Sequence, residues 1–131
     1  MSYKTNVFGV LDADHNFRKV LYTGEKSQLV VMEIPVGGEV GEEVHDHVEQ
    51  TLFFKSGTGK VVLDGKEDTV EPGDVVVVRP GVKHNFINTG TEAFEIVTVY
   101  APPNHLDGRV HASKADADAD EEDEAFGHSI T

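Results

Sequence analysis

Short apolar runs separated by turn residues make up most of the chain. β-Branched residues dominate runs such as Gln28–Ile34 and Val75–Val78, and turn sequences such as SGTG and EPGD lie between the runs. Asp64 and Gly65 form a dipeptide that is typical of a tight β-hairpin. No segment before residue 112 has a clear helical period. This pattern predicts an all-β protein built from many short strands, either a sandwich or a barrel.

Two segments give more specific predictions about strand placement. The run VVVV at 75–78 is apolar on both faces and therefore predicts a central strand. The segment FRKVLY at 17–22 predicts a strand, or an arm that pairs with another subunit. Because a small antiparallel sheet has open edges across which such a segment can pair, we expect the protein to form a homodimer.

The end of the chain differs in composition from the rest. Residues 112–131 contain seven acidic side chains and one lysine, and the stretch ADADADEEDE is of low complexity. Such a segment predicts disorder or a weak helix. We therefore expect residues 1–111 to form a single barrel with an N-terminal arm, and residues 112–131 to be an acidic tail that can be removed.

Composition narrows the possible functions. The 131 residues suit one domain, and 11 basic against 24 acidic side chains give a net charge of −13. This charge argues against binding to nucleic acid or to an anionic membrane surface, and it is compatible with a halophilic source. Zero cysteines exclude disulfides and thiolate metal sites. Because the sequence shows neither an apolar run of membrane-spanning length nor a signal pattern, we expect a cytoplasmic protein.

Four polar side chains are candidates for one metal site. Glu43 and His45 are two positions apart, so on a β-strand they share a face. Gln50 opens the next apolar run, and the turn DHVE can return it towards the first pair. His84 follows a Pro-Gly turn and opens another strand. Carboxylate, imidazole and amide oxygen are all ligands for a divalent first-row metal, so these four residues predict a metal centre.

The spacing of these residues resembles the two motifs of the cupin family. The first motif, G-x5-H-x-H-x3,4-E-x6-G, is matched in spacing by Gly37, Glu43, His45, Gln50 and Gly57. The second motif, G-x5-P-x-G-x2-H-x3-N, is matched in spacing by Gly73, Arg79, Gly81, His84 and Asn88. The resemblance covers about residues 28–100. It implies an all-β double-stranded β-helix, the jelly-roll barrel of the cupins.

Three positions depart from the residue types of the family. Glu43 stands where the family usually has His, Gln50 where it has Glu, and Arg79 where it has Pro. The usual set of three His and one Glu carries one negative charge, and the set present here carries one as well. The resemblance therefore implies one divalent transition metal (Fe, Mn, Zn, Ni or Cu) with an open position for water or an anionic oxygen.

The resemblance also implies a small-molecule substrate or ligand, and three classes of function fit it. The first is a metal-dependent dioxygenase, in which the metal activates O₂ or an oxygen-bearing substrate. The second is a sugar or sugar-phosphate isomerase similar to mannose-6-phosphate isomerase, against which counts the lack of a clear Lys and Arg cluster for phosphate. The third is a non-catalytic module that senses or stores a small ligand or a metal.

Two residues compete with the four candidate ligands. His47 gives a second H-x-H spacing with His45, but the following acid would then fall on Thr51 or Leu52, so an exposed turn position is favoured for His47. Glu49 is a second-choice ligand, because some cupins have one residue fewer before the acid. Strand parity places Glu49 on the face opposite Gln50, which favours Gln50.

Three basic residues outside this set allow more than one interpretation. His105 and His111 can fold back over a pocket, but exposure is favoured because they follow two prolines. Arg79 can bind an anionic substrate at the barrel mouth, although a surface ion pair is favoured.

Overall fold

The computed structural model describes residues 2–129, while residue 1 of the expected arm and residues 130–131 of the expected tail lie outside the described part. The chain folds into two antiparallel sheets, which confirms the predicted all-β jelly-roll class. The strands are β1 (Arg18–Thr23), β2 (Gln28–Ile34), β3 (Glu49–Ser56), β4 (Gly59–Leu63), β5 (Lys66–Val70), β6 (Val75–Val78), β7 (His84–Asn88), β8 (Phe94–Ala101) and β9 (Val110–His111). The helices are α1 (Val7–Ala13), α2 (Lys114–Ala119) and α3 (Glu121–Ser129).

The larger sheet has the strand order β6-β3-β8-β2-β1-β9, and the smaller sheet has the order β5-β4-β7. Alternate side chains of β3 and β8 are buried, as the period of two in a strand requires. The core draws on both sheets, and its fully buried members include Leu52, Phe54, Phe86, Phe94 and Ile96. The apolar faces of the two sheets therefore pack against each other, as in a jelly roll.

Gly59 shows how closely the barrel wall is packed. A Cβ atom at this position would lie 2.1 Å from the Ile87 carbonyl oxygen and 2.6 Å from the Phe94 ring. Only glycine allows β4 to approach its neighbours this closely. Since β4 pairs with β7 along its whole length, this contact also fixes the strand that carries His84.

The expectation that residues 75–78 form a central strand is wrong. Strand β6 pairs with β3 alone and forms an edge of the larger sheet. Val75 and Val77 are exposed by 49% and 48%, and Phe53 beside them by 47%. The β-branched residues favour a strand without requiring burial on both faces, which is why the apolar run was misleading.

The segment FRKVLY at 17–22 does not provide a free pairing edge. Strand β1 is paired on one side with β2 and on the other side with β9, both within the same chain. The homodimer stays a prediction, and the edge offered by β6 is now the better place for it.

Helices form where the sequence indicated none or only weak ones. Helix α1 begins after Asn6, whose side chain accepts a hydrogen bond from the Gly9 N–H and caps the helix. In the segment expected to be disordered or weakly helical, Ser113 caps α2 in the same way. The acids at the start of α3 favour a helix N-terminus, and Asp123 of this helix is buried against the barrel. Acidic residues of this segment therefore lie at the start of a helix and, in the case of Asp123, in a buried contact. Among residues 2–129, no helix is long and apolar enough to cross a membrane.

Candidate functional site

The segment that carries Glu43 and His45 runs beside β7. Glu43 and His84 exchange two backbone hydrogen bonds of 3.0 Å, and the Gly81 N–H donates to the His45 carbonyl at 2.8 Å. This segment makes single bridges at Glu39 and Glu43, whereas the sequence predicted a strand that carries Glu43 and His45. The bridge is enough to place Glu43 directly opposite His84.

Three of the four predicted ligands lie near one another at this place, although their ligand atoms do not all come within 4.8 Å of one another. The His45 Nε2 atom lies 3.2 Å from a carboxylate oxygen of Glu43. The rings of His45 and His84 have their centroids 5.2 Å apart. The structure therefore brings together one carboxylate and two imidazoles from two separate motifs.

A backbone contact fixes the orientation of the His84 ring. Its Nδ1 atom lies 3.0 Å from the Val82 carbonyl oxygen, which can only accept, so Nδ1 carries the proton. Nε2 then keeps its lone pair, the form in which histidine binds metals. Burial lowers the pKa of His84 and thus favours the neutral ring.

The electrostatics of the first pair also favour neutral imidazole. Burial, together with repulsion from His84, lowers the pKa of His45 to about 3. Loss of surrounding water raises the pKa of Glu43, although 43% of its side chain remains accessible to solvent. The two observations agree if Glu43 lies inside a cavity, among many protein atoms and yet reached by water. A divalent cation would reverse this destabilisation of the carboxylate.

Gln50 is buried on the inward face of β3, while Glu49 is exposed, as strand parity predicts. The Gln50 amide nitrogen donates a hydrogen bond to the Thr98 hydroxyl at 3.0 Å, a contact that does not use its carbonyl oxygen. Gln50 pairs with Tyr100 across the sheet, and the Tyr100 ring lies 6.1 Å from the His45 ring. His47 is exposed at the turn, as expected.

A cavity of about 300 Å³ opens over Glu43 and His45. Residues 40–45 form one wall, which we call the barrel wall. The residues of this wall that line the cavity are Val40, Glu42, Glu43, Val44 and His45. Its terminal wall comes from both ends of the chain and consists of Phe17, Arg18, Asn104, His105, Ala117, Asp118, Asp123, Glu124, Gly127 and His128. Gln50 and His84 do not line the cavity; both are buried. Two of the four candidate ligands, Glu43 and His45, thus form part of one wall of this cavity.

A network of ionisable side chains holds the terminal wall together. His105 Nδ1 lies 2.7 Å from one oxygen of Asp123, and the Leu106 N–H donates to the other oxygen at 2.7 Å. His111 Nε2 and Arg109 Nε lie 2.9 Å and 3.2 Å from the same oxygen of Asp120. These contacts tie the segment after β8 to α3.

The expectation that His105 and His111 are exposed is wrong. They are only 6% and 3% exposed, and each pairs with an acid of the C-terminal segment: His105 with Asp123 of α3, and His111 with Asp120 between α2 and α3. The sequence signal for this pairing was weak, since His105 and Asp123 are 18 positions apart. Histidines that follow a strand are common in proteins, and so are acidic segments further along the chain. The two features together therefore do not identify a pair.

A second group of metal-binding side chain types occurs in this network. Within residues 2–129, His111, Asp120 and Asp123 form the one such group whose ligand atoms all lie within 4.8 Å of one another. Its carboxylates already accept hydrogen bonds from His105 and the Leu106 N–H, and Arg109 neutralises charge there. We interpret this group as an ion-pair network that fastens α3.

Sequence reasoning also missed Arg18. Its side chain is buried, lines the cavity and lies with its guanidinium 5.2 Å from the centre of the Phe17 ring. Arg79, the arginine that the sequence offered for an anion, is exposed and does not line the cavity. A single arginine at the start of a strand carries no pattern from which burial could have been predicted.

Comparison with known proteins identifies the family. The family model of the cupin domain matches residues 30–100. The protein YrkC of Bacillus subtilis is 35% identical over 126 residues, which are 92% of this chain and 68% of YrkC. The crystal structure of BH2720 from Bacillus halodurans has a TM-score of 0.88 at 31% identity, over 91% of this chain and 95% of that one.

A third protein is similar over a smaller part. The crystal structure of a predicted oxalate decarboxylase from Thermotoga maritima has a TM-score of 0.61 at 26% identity, over 64% of this chain and 77% of that one. The family model alone spans more than half of the chain. With two packed antiparallel sheets and both motif spacings in place, the chain belongs to the cupin family.

Proposed function

We propose that the protein binds one divalent transition metal through Glu43, His45, Gln50 and His84 and acts on, or holds, a small molecule in the adjoining cavity. The observation that carries the proposal is the close approach of Glu43, His45 and His84, of which Glu43 and His45 line the cavity. These donors come from two separate motifs, and the chain brings them together through the backbone bridge between Glu43 and His84.

The donor set fits such an ion. Two imidazoles that burial keeps neutral, one carboxylate and one amide oxygen suit first-row divalent metals. The set carries one negative charge, so a bound dication would retain a positive charge. When bound, the metal would supply a Lewis acid with an open position. The cavity volume is at the lower end of the range for small-molecule sites, about 300–1,000 Å³.

Among the three classes of function, the cavity favours a substrate other than a phosphate. Arg18 is the one Lys or Arg among the described residues that line it. A phosphate dianion usually requires several cationic donors, so a sugar-phosphate isomerase is the less favoured class. A metal-dependent dioxygenase acting on a small molecule is the class we favour, and a non-catalytic binding module is the alternative.

The experiment is a comparison of metal content among single variants purified under the same conditions. We expect Glu43→Ala, His45→Ala and His84→Ala each to lose most of the bound metal, and Gln50→Ala a smaller part. His47→Ala and Glu49→Gln are matched controls, because both side chains are exposed and close in sequence. Circular dichroism and a melting curve on each variant separate a lost ligand from a lost fold.

The outcome decides both the site and the class. Metal retained by all four variants, or lost from His47→Ala instead, would refute the site. Iron or copper in the wild-type protein would support the dioxygenase, whereas zinc would favour an isomerase or a binding module. Protein that takes up no divalent metal at all would contradict the proposal.

A further inference from the structure

Arg18 is a buried cation in the wall of the cavity. The side chain is 5% exposed, and the residue lies in β1, which pairs on both sides with other strands. Its Nε atom is buried and has no hydrogen-bond partner among residues 2–129. Two neutral groups lie beside the guanidinium. The Phe17 ring is centred 5.2 Å away, and burial raises the pKa of the neighbouring Tyr100 to about 12, so its hydroxyl is neutral.

The acids around the cavity already have partners. Pairs within 4.0 Å join Glu42 to Lys83, Asp118 to Lys114, Asp123 to His105 and Glu124 to His128. Arg18, in contrast, has no carboxylate within 4.0 Å among the described residues. Glu43 and Asp123 interact electrostatically with Arg18 at longer range, without an ion-pair contact.

A buried charge without a counterion is costly. Taking a charged group out of water costs several kcal/mol unless an opposite charge and hydrogen bonds compensate it. Glu43 is the nearest candidate for compensation, but in the proposed metal site its charge is shared with the cation. An anion in the cavity would compensate Arg18 directly, and guanidinium binds carboxylates with two parallel hydrogen bonds.

Two hydrogen-bond acceptors in the same wall also lack partners. Asn104 Oδ1 and His105 Nε2 are buried, and neither has a hydrogen-bond partner among residues 2–129. Because His105 Nδ1 lies 2.7 Å from the Asp123 carboxylate and donates to it, His105 Nε2 is an acceptor. A ligand that satisfies this wall therefore has a hydrogen-bond donor as well as an anionic group.

We propose that Arg18 binds the carboxylate of a small hydroxy acid in this cavity, with either His105 Nε2 or Asn104 Oδ1 accepting the one hydrogen bond that its hydroxyl donates. The proposal rests on the proposed function in so far as both place the small molecule in one cavity. It goes further, because it names the chemical class of the ligand and the residues that select it. Its supporting residues lie outside the four candidate metal ligands.

The test measures binding of four probes by calorimetry, first to metal-free protein and then to metal-loaded protein. The probes are malate, succinate, uncharged succinamide and inorganic phosphate. Malate should bind most tightly and succinate more weakly, whereas succinamide and phosphate should not bind at the same concentrations. Metal-free protein is used first because carboxylates also bind free metal ions.

Variants then assign the binding to Arg18. Arg18→Met should weaken malate binding at least about tenfold, which is the scale of a lost charge-assisted contact. Its melting temperature without ligand should stay the same or rise, because an uncompensated charge has been removed. Arg79→Met is the matched control, since Arg79 is exposed, and should bind malate like the wild type.

Several outcomes would overturn the proposal. Equal malate binding by Arg18→Met and wild type, or equal binding of succinamide and succinate, would exclude an Arg18 carboxylate site. Equal binding of malate and succinate would exclude the hydroxyl contacts. If Arg18→Met does not fold, Arg18→Lys keeps the charge but loses the planar fork, and it should bind malate with intermediate affinity.

The proposed function and this inference fail separately. Normal metal content together with no malate binding would refute the hydroxy acid and leave the metal site. Malate binding that depends on Arg18 in a protein that takes up no metal would refute the metal site and support the inference.

Discussion

The two walls of the cavity are held in place by different kinds of interaction. In the barrel wall, backbone hydrogen bonds to β7 and the turn before it position Glu43 and His45. In the terminal wall, the side chain of Gln28 holds the backbone of Asn104 and His105, and the His105 ring pairs with Asp123 across 18 residues of sequence. Backbone pairing does not depend on ionisation, whereas a pair of titratable side chains does. Because the barrel wall does not depend on the pairs made by the C-terminal segment, it should tolerate changes at the chain ends that the terminal wall does not.

Removing the C-terminal helices is the strongest way to test this difference. Deletion of residues 112–131 leaves the strands that build the core, so residues 1–111 should still unfold cooperatively. The free energy of unfolding should fall by about 3–5 kcal/mol, because the deletion exposes His105 and His111 and breaks a buried pair. Urea unfolding of the two proteins measures the loss.

The same truncated protein tests the barrel wall. Its metal content should equal that of the full chain, because Glu43, His45 and His84 are held by strands. A truncated protein without a cooperative transition would show that the helices belong to the folding unit and that a barrel of residues 1–111 is not independent.

A single substitution in the terminal wall should have a smaller effect. In Asp123→Asn, the amide can accept only one of the two hydrogen bonds that His105 and the Leu106 N–H donate. We expect a loss of about 2–3 kcal/mol in the free energy of unfolding, since hydrogen bonds to charged groups contribute about 1.5–3 kcal/mol each. We expect the metal content of Asp123→Asn to equal that of the wild type.

The matched control is Asp118→Asn in α2, whose carboxylate is exposed and pairs with Lys114. Exposed pairs contribute about 0–1 kcal/mol, so this variant should unfold like the wild type. Equal losses in the two variants would mean that burial of the Asp123 pair does not stabilise the wall.

Acidification should produce the mildest effect. Burial lowers the pKa of His105, with help from Arg18 and His111 and against the opposing pull of Asp123. Below the ordinary value of about 6.5, the unfolded chain takes up a proton that the folded His105 resists. Stability from this group is thus fully present above about pH 6.5 and falls below it, by at most about 1.4 kcal/mol per pH unit.

Asp123 should affect the pH dependence of stability only at a lower pH than His105. Burial opposes ionisation, but hydrogen bonds from His105 and Leu106 hold the pKa of this carboxyl below its ordinary range. Its stabilisation is present above an unfolded value of about 3.9 and disappears as the pH falls through the folded value. Urea unfolding at pH 7.5, 6.5 and 5.5, with His105→Gln beside the wild type, isolates the histidine. A wild-type stability that stays constant between pH 7.5 and 5.5 would contradict this account.

The contrast also explains what the sequence could predict. Strand parity and turn residues indicate the all-β class, and fixed spacings in two motifs indicate Glu43, His45, Gln50 and His84, because these residues are placed by local backbone geometry. The same parity correctly separated buried Gln50 from exposed Glu49.

Features set by distant contacts could not be predicted in this way. Helix α3 is short, and isolated helices of this length are marginal, so its formation depends on contacts such as Asp123 with His105. Arg18 is buried, and residues from both ends of the chain line the cavity beside it. No local sequence pattern predicts this burial. The exposed valines of β6 show the opposite failure, because propensity alone was mistaken for burial.

The terminal wall has a consequence for how this fold diversifies. The match to the cupin family ends at residue 100 and begins at residue 30. Arg18, His105 and Asp123 all lie outside these limits, while Glu43, His45, Gln50 and His84 lie inside them. Two relatives can thus share the barrel and its motif residues while their chain ends, and with them the terminal wall of the cavity, differ.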